Sequence, residues 1–213
     1  MMEEKILDAA GFDAWQAQYE ADVAACEAAE DYPFAGYTEL LDQIFDIVHA
    51  REGVTVLDLG CGTGRMTGRL LEVGHPVTAV DFSRQMLQAA AHNAPGATFV
   101  QAELAEVPDK LAGQTFDCIV AAYSLHHLPD AEKYALLAAL QANLAPEGVI
   151  VLGDVSFPTR EGLEAVREAY EEDWDDSEFY LVRDELEAAL PQFDVDCIPI
   201  SFCADVLILS PNT

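Results

Sequence analysis

Apolar and polar positions along this chain follow two alternating periods. From Tyr37 to Ala50 the apolar residues Leu40, Leu41, Ile44, Phe45, Ile47 and Val48 recur at helical spacing, and Phe12 to Glu30 shows the same period. Both segments are predicted helices. Val54-Thr-Val-Leu-Asp-Leu59 is then a short, nearly unbroken apolar run, the pattern of a strand buried on both faces. A glycine-rich turn follows, and after it a helical run from Arg65 to Val73 that Gly74 ends.

The alternation continues with strands at Val77–Asp81, Ala97–Gln101, Phe116–Ala121 and Gly148–Asp154, and with helices at Ser83–His92 and Asp130–Leu144. Ser83 is placed to cap the helix that follows Asp81. Strands alternating with helices predict a parallel sheet covered on both faces. Beyond Asp154 the pattern becomes helical and acid-rich over Thr159–Glu172 and Glu178–Leu190, then ends in two close strands, Phe193–Ile198 and Cys203–Leu209, which suggest a hairpin-like edge. No repeat, linker or break in composition divides the 213 residues, so one domain is expected.

Composition narrows the partners. Thirty-nine acidic residues against ten basic ones give a formal charge of −29, which opposes binding to nucleic acid, because phosphate contacts depend on Lys and Arg. The acids read as a solvated surface; those near a site would favour a cationic substrate. No apolar run reaches the roughly 20 residues that span a bilayer, and Met1-Met2-Glu3-Glu4-Lys5 lacks the order of a secretion signal, so a cytoplasmic protein without membrane partner is expected. Cys26, Cys61, Cys118, Cys197 and Cys203 form no CxxC pair and read as reduced thiols. His126 and His127 are the one adjacent pair of metal-type ligands, too few for a predicted metal centre.

The chemistry concentrates in Val56-Leu57-Asp58-Leu59-Gly60-Cys61-Gly62-Thr63-Gly64, where a strand carrying an acid runs into glycines at alternate positions and then a helix. Such glycines let backbone approach a ligand closely, and the helix start offers unpaired N–H groups. A dinucleotide turn would have a glycine at the sixth position from Gly60, where this chain has Arg65. GxGxG with an upstream acid suits instead a cofactor without phosphate that carries an amino-acid tail. Asp81, at the end of the next strand, is placed to accept the two hydroxyls of a ribose.

These residues, with Val80-Asp81-Phe82-Ser83 downstream, resemble the first two motifs of the class I S-adenosylmethionine-dependent methyltransferases. Phe99-Val-Gln-Ala-Glu103 resembles that family's third-strand motif, with Glu103 where an Asp is common, and Phe116 to Leu128 resembles its fourth-strand motif with the histidine pair. The resemblance covers roughly residues 36 to 155. The opening Phe12-Asp13-Ala14-Trp15 to Tyr19 and Phe34-Ala35-Gly36-Tyr37 is similar to the small YrrT-type bacterial methyltransferases.

The resemblance implies a Rossmann-like α/β three-layer sandwich: a seven-stranded, mostly parallel sheet with an antiparallel last strand, order 3-2-1-4-5-7-6. It further implies an N-terminal helical cap over residues 1–50, a cofactor-binding core over 51–155, and substrate-facing helices with the final strand pair over 156–213. With S-adenosyl-L-methionine as cofactor, Asp58, Gly60, Cys61, Gly62 and Gly64 would surround its methionine part and Asp81 its ribose. Phe82 and Met86 would flank the adenine, Glu103 and Leu104 would address its polar edge, and Ala121 would lie beneath the sulfonium; Met86 fits a core position as well.

Methyl transfer from a sulfonium needs chiefly an acceptor held in line, and a general base only where the acceptor carries a proton. His126 is the candidate base, and Tyr19 on the N-terminal helix is the second candidate catalytic residue. His127 and Tyr123 stand beside His126, and Trp15, Tyr19 and Tyr37 are placed to shape the acceptor pocket or simply to pack. The acceptor is read as a small molecule, either cationic or a thiol, and the protein as monomer or homodimer. Ala121-Ala-Tyr-Ser replaces the Asn/Asp-Pro-Pro-aromatic stretch of base and amide methyltransferases, which disfavours a macromolecular substrate. A cofactor-binding protein without catalysis and a macromolecule methyltransferase are the alternatives, with a nicotinamide-dependent oxidoreductase behind them.

Overall fold

The computed structural model describes residues 26–212. Trp15, Tyr19 and most of the first expected helix lie outside them; its last turn is helical at 26–29. Helix α1 (Tyr37–His49) turns Leu40, Leu41, Ile44 and Val48 inward, as its periodicity predicts.

Strands β1 (Val56–Leu59), β2 (Val77–Asp81), β3 (Thr98–Gln101), β4 (Phe116–Ala122) and β5 (Leu144–Phe157) are joined by helices α2 (Arg65–Glu72), α3 (Arg84–Asn93), α4 (Val107–Lys110) and α5 (Asp130–Leu140). After β5 come α6 (Arg160–Ala169), the two-residue β6 (Leu181–Val182), α7 (Arg183–Ala189), β7 (Phe193–Pro199) and β8 (Ala204–Pro211). The sheet runs β3-β2-β1-β4-β5-β8-β7, with β6 beside the end of β5 off this path. Apart from β6, this is the expected order, and the last strand, β8, is antiparallel to both neighbours.

Alternate residues of the strands build the two sides. Val56, Ala79, Cys118, Val120 and Val151 join one apolar cluster with the buried face of α1, while Leu57, Leu59, Val80, Ile119, Ala121, Ile150 and Leu152 join the other, with α5 and α7. That is why the parallel strands read as unbroken apolar runs. Gly153 admits α1: a side chain there would come within 2.5 Å of Leu40 and 2.6 Å of Ile44.

The second half departs from the expected boundaries in several places: α5 stops at Leu140, short of Leu144, and β5 begins at Leu144, ahead of Gly148. Strand β5 does not stop at Asp154 but continues to Phe157, because Asp154 is itself buried within it. The helix expected over Glu178–Leu190 begins only at Arg183; Leu181 and Val182 form β6 against Ser156 and Phe157. Tertiary pairing with β5 overrides the helical spacing there. The hairpin of β7 and β8 forms as expected, with β8 inserted against β5 and β7 at the edge. Among the described residues no helix is long and apolar enough to cross a membrane, and all five cysteines are free.

Candidate active site

The strand order reverses direction at β1, which has β2 on one side and β4 on the other, so a crevice opens at the carboxyl ends of these strands. The glycine turn lies in it. Gly60 and Cys61 donate their N–H groups to the Val80 carbonyl at 2.8 and 2.9 Å, which ties the turn to β2. Gly60 has φ +68, and an added Cβ would sit 2.5 Å from that of Ser124, so the turn packs directly on the chain leaving β4. Gly62 differs: at φ +53 it is equally left-handed, yet a Cβ there would meet nothing within 4 Å. It borders open space.

Asp81 connects both motifs. Its Oδ2 accepts the Gly62 N–H at 2.9 Å and its Oδ1 accepts the Ser83 N–H at 2.8 Å, so the carboxylate is fixed at the crevice mouth. A carboxylate accepts up to about four hydrogen bonds. Asp58 lies deeper, 2% exposed, and accepts the Thr67 hydroxyl at 2.5 Å. Burial, opposed by the Thr67 hydrogen bonds and assisted by Asp81, pushes the Asp58 pKa up to about 6. Burial likewise raises the Cys61 thiol, aided by Asp58 and Asp81, and keeps it protonated.

Phe82 is half-buried beside Asp81, and Ser83 caps α3 by accepting the Met86 N–H at 3.2 Å, as the sequence suggests. Met86 is 5% exposed on the buried side of α3. Glu103 is exposed and Leu104 half-buried just past the end of β3, and Ala121 is buried near the end of β4.

On the far side of β4 stands a second arrangement. His126 is buried in a short 3-10 turn, with Nδ1 2.6 Å from Asp154 Oδ1 and Nε2 3.7 Å from Glu178 Oε1. Asp154 is held in turn by the N–H groups of Leu125 at 3.2 Å and Val155 at 2.8 Å. Burial is the largest single influence on His126 and opposes its charged form. The charge and hydrogen bond of Asp154, together with Glu178, outweigh it and raise the pKa. His127 is pushed down to about 3, by burial first and then by the neighbouring His126. Glu178 accepts the Tyr180 hydroxyl at 2.7 Å, and Tyr180 is hydrogen-bonded to Tyr32, whose ring stacks on Trp174 at 5.2 Å.

A family profile described as a methyltransferase domain matches residues 56–148. An uncharacterized methyltransferase of Geobacillus kaustophilus is 34% identical over 162 residues, 76% of this chain and 71% of its own length. The chain belongs to the class I S-adenosylmethionine-dependent methyltransferases. An uncharacterized methyltransferase of Oceanobacillus iheyensis is 31% identical over 70% of this chain and 68% of its own. In fold this methyltransferase is similar to magnesium protoporphyrin IX methyltransferase of Synechocystis PCC 6803, solved with bound S-adenosylhomocysteine, at a TM-score of 0.67 and 19% identity over 84% of this chain and 85% of that one. A TehB-like S-adenosylmethionine-dependent methyltransferase of Corynebacterium glutamicum gives 0.63 and 20% over 94% and 100%.

The structure brings Asp58, Gly60, Gly62 and Asp81 together at the carboxyl ends of β1 and β2, and Met86, buried on α3, is linked to Asp81 through Ser83. Asp154, Glu178 and Tyr180 escaped sequence reasoning. Asp154 closes the predicted strand Gly148–Asp154 but no local motif marks it as the partner of His126, and Glu178 sits in an acid-rich stretch where nothing distinguishes it from its neighbours. Lys133 was missed too: it is fully buried, with Nζ bonded to the Phe179 carbonyl at 2.5 Å and to Asp130 at 3.2 Å, and so pins the segment carrying Glu178 onto α5.

Proposed function

We propose that this methyltransferase binds S-adenosyl-L-methionine in the crevice of β1, β2 and β4 and methylates a small-molecule acceptor in the cytoplasm, mainly by positioning. The observation that carries this is the direct bond between the Gly62 backbone and Asp81, with open space above Gly62 that a side chain would occupy. These residues fit the cofactor. Asp81 suits two ribose hydroxyls, the Gly60–Gly64 backbone suits the methionine tail, and the Asp58 carboxylate suits its ammonium. Phe82, and Glu103 with Leu104, line the adenine side; Ala121 and Cys61 flank the middle.

When bound, the cofactor supplies an electrophilic methyl group on a positively charged sulfur. The protein's own part is to place the acceptor in line and exclude water. His126 accepts the acceptor's proton at Nε2 where the acceptor is a protonated amine or a thiol, with Asp154 fixing the ring through Nδ1. The wall built from Glu178, Tyr180, Tyr32 and Trp174 pairs a carboxylate with aromatic faces, which favours a cationic acceptor over an anionic one. Tyr19 remains a candidate contributor from the N-terminal segment.

A panel of amines and thiols incubated with the protein and the cofactor, scored by S-adenosylhomocysteine formation, tests this reading. Turnover on at least one amine or thiol, reduced in Asp81→Ala, supports it. Cofactor binding without turnover on any acceptor would favour the non-catalytic alternative.

A further inference from the structure

His126, His127 and Glu178 each offer a ligand atom, and these atoms all lie within 4.8 Å of one another. The separation of His126 Nε2 from Glu178 Oε1, 3.7 Å, exceeds the roughly 3.2 Å limit of a good N–H···O bond. It is close to the roughly 3.3–3.6 Å that separates two ligands of one zinc ion when each stands about 2.0–2.1 Å from the metal. Asp154 at Nδ1 supplies the second feature of a metal-binding imidazole, a carboxylate that fixes the ring so that Nε2 points outward. Tyr180 orients the Glu178 carboxylate in the same way from behind, through its other oxygen.

We propose that His126 Nε2, His127 and Glu178 form a binding site for one divalent transition-metal ion, with an open coordination position on the acceptor side of the crevice. Two imidazoles and one carboxylate suit zinc, cobalt(II), nickel(II) or iron(II) better than magnesium or calcium, which take oxygen ligands. Two carboxylates converge on one buried imidazole here, and a divalent cation between Nε2 and Glu178 balances their charge.

The consequence for catalysis rests on the proposed acceptor side; the binding itself does not. A cation on Nε2 takes the place of the proton this nitrogen otherwise accepts, so His126 serves as base in the metal-free protein and as ligand in the loaded one.

The test is titration of untagged, chelator-treated protein with cobalt(II), followed by visible absorption and calorimetry in the absence of cofactor. The expected result is one equivalent bound, with the intense visible bands of a four- or five-coordinate site. Those bands should disappear in His126→Ala and in Glu178→Gln and persist in His92→Ala, which alters an exposed histidine on α3. Glu178→Gln keeps the side chain's shape, so it carries the test if His126→Ala misfolds by circular dichroism. Only weak, multiple-site binding with octahedral bands, as surface carboxylates give, would overturn the proposal, as would bands that survive in Glu178→Gln. A parallel titration with S-adenosylmethionine reports on the crevice separately, so loss of one reading leaves the other measurable.

Discussion

The Gly62 N–H donates to Asp81 Oδ2 at 2.9 Å, so the glycine turn after β1 and the acid ending β2 form one unit before any ligand arrives. Each motif alone has a structural explanation. Joined at the reversal of strand order, they form a preorganised cradle.

The glycines of this turn should respond differently to substitution. Gly60→Ala puts a Cβ 2.5 Å from that of Ser124 at a left-handed φ, and is expected to cost about 3 kcal/mol of stability, read as a lowered Tm. Gly62→Ala meets no protein atom, so it should cost only the roughly 1–2 kcal/mol of its backbone conformation while weakening S-adenosylmethionine binding at least about tenfold.

Asp58 predicts a pH dependence of stability. Its folded pKa, pushed up to about 6, lies above the roughly 3.9 of an unfolded aspartate, so the folded state holds the proton more tightly. Stability from this group is therefore greatest below about pH 4 and declines as pH rises to about 6, by on the order of 3 kcal/mol. In Asp58→Asn this decline should vanish, and chemical denaturation at pH 4, 6 and 8 checks it. An unchanged profile would mean that folding does not raise the Asp58 pKa.

Asp154 is expected to act through His126. Asp154→Asn should lower kcat by about a hundredfold on any acceptor with a proton to lose, leaving the cofactor Kd within about twofold. An equal loss in Kd would make the residue purely structural.

Lys133 should hold the segment that carries Glu178. Lys133→Met removes the donor to the Phe179 carbonyl, so amide exchange across residues 171–180 should accelerate by about tenfold or more, while exchange in β1 and β4 stays slow.

The strands and glycine turn from Val56 to Ser83 were legible because local sequence decides them. Val56 to Gly64 carries strand, turn and helix start in one contiguous stretch, and Ser83 caps α3 as its position before Arg84 suggests. The surroundings of His126 were not. His126 meets Asp154 and Glu178 only because β5 lies beside β4 and the segment after α6 folds back over both, and long-range pairing of that kind leaves no local period. Leu181 and Val182 illustrate the same limit: their spacing fits a helix, and β5 recruits them as a strand.

The central claim is tested most directly by isothermal titration of the folded protein with S-adenosylmethionine, S-adenosylhomocysteine and NAD, with Asp81→Ala alongside. The account predicts micromolar binding of both adenosyl ligands, none of NAD, and loss of binding in Asp81→Ala without loss of fold. Failure of folded wild-type protein to bind either adenosyl ligand, or equal binding by Asp81→Ala, would contradict it.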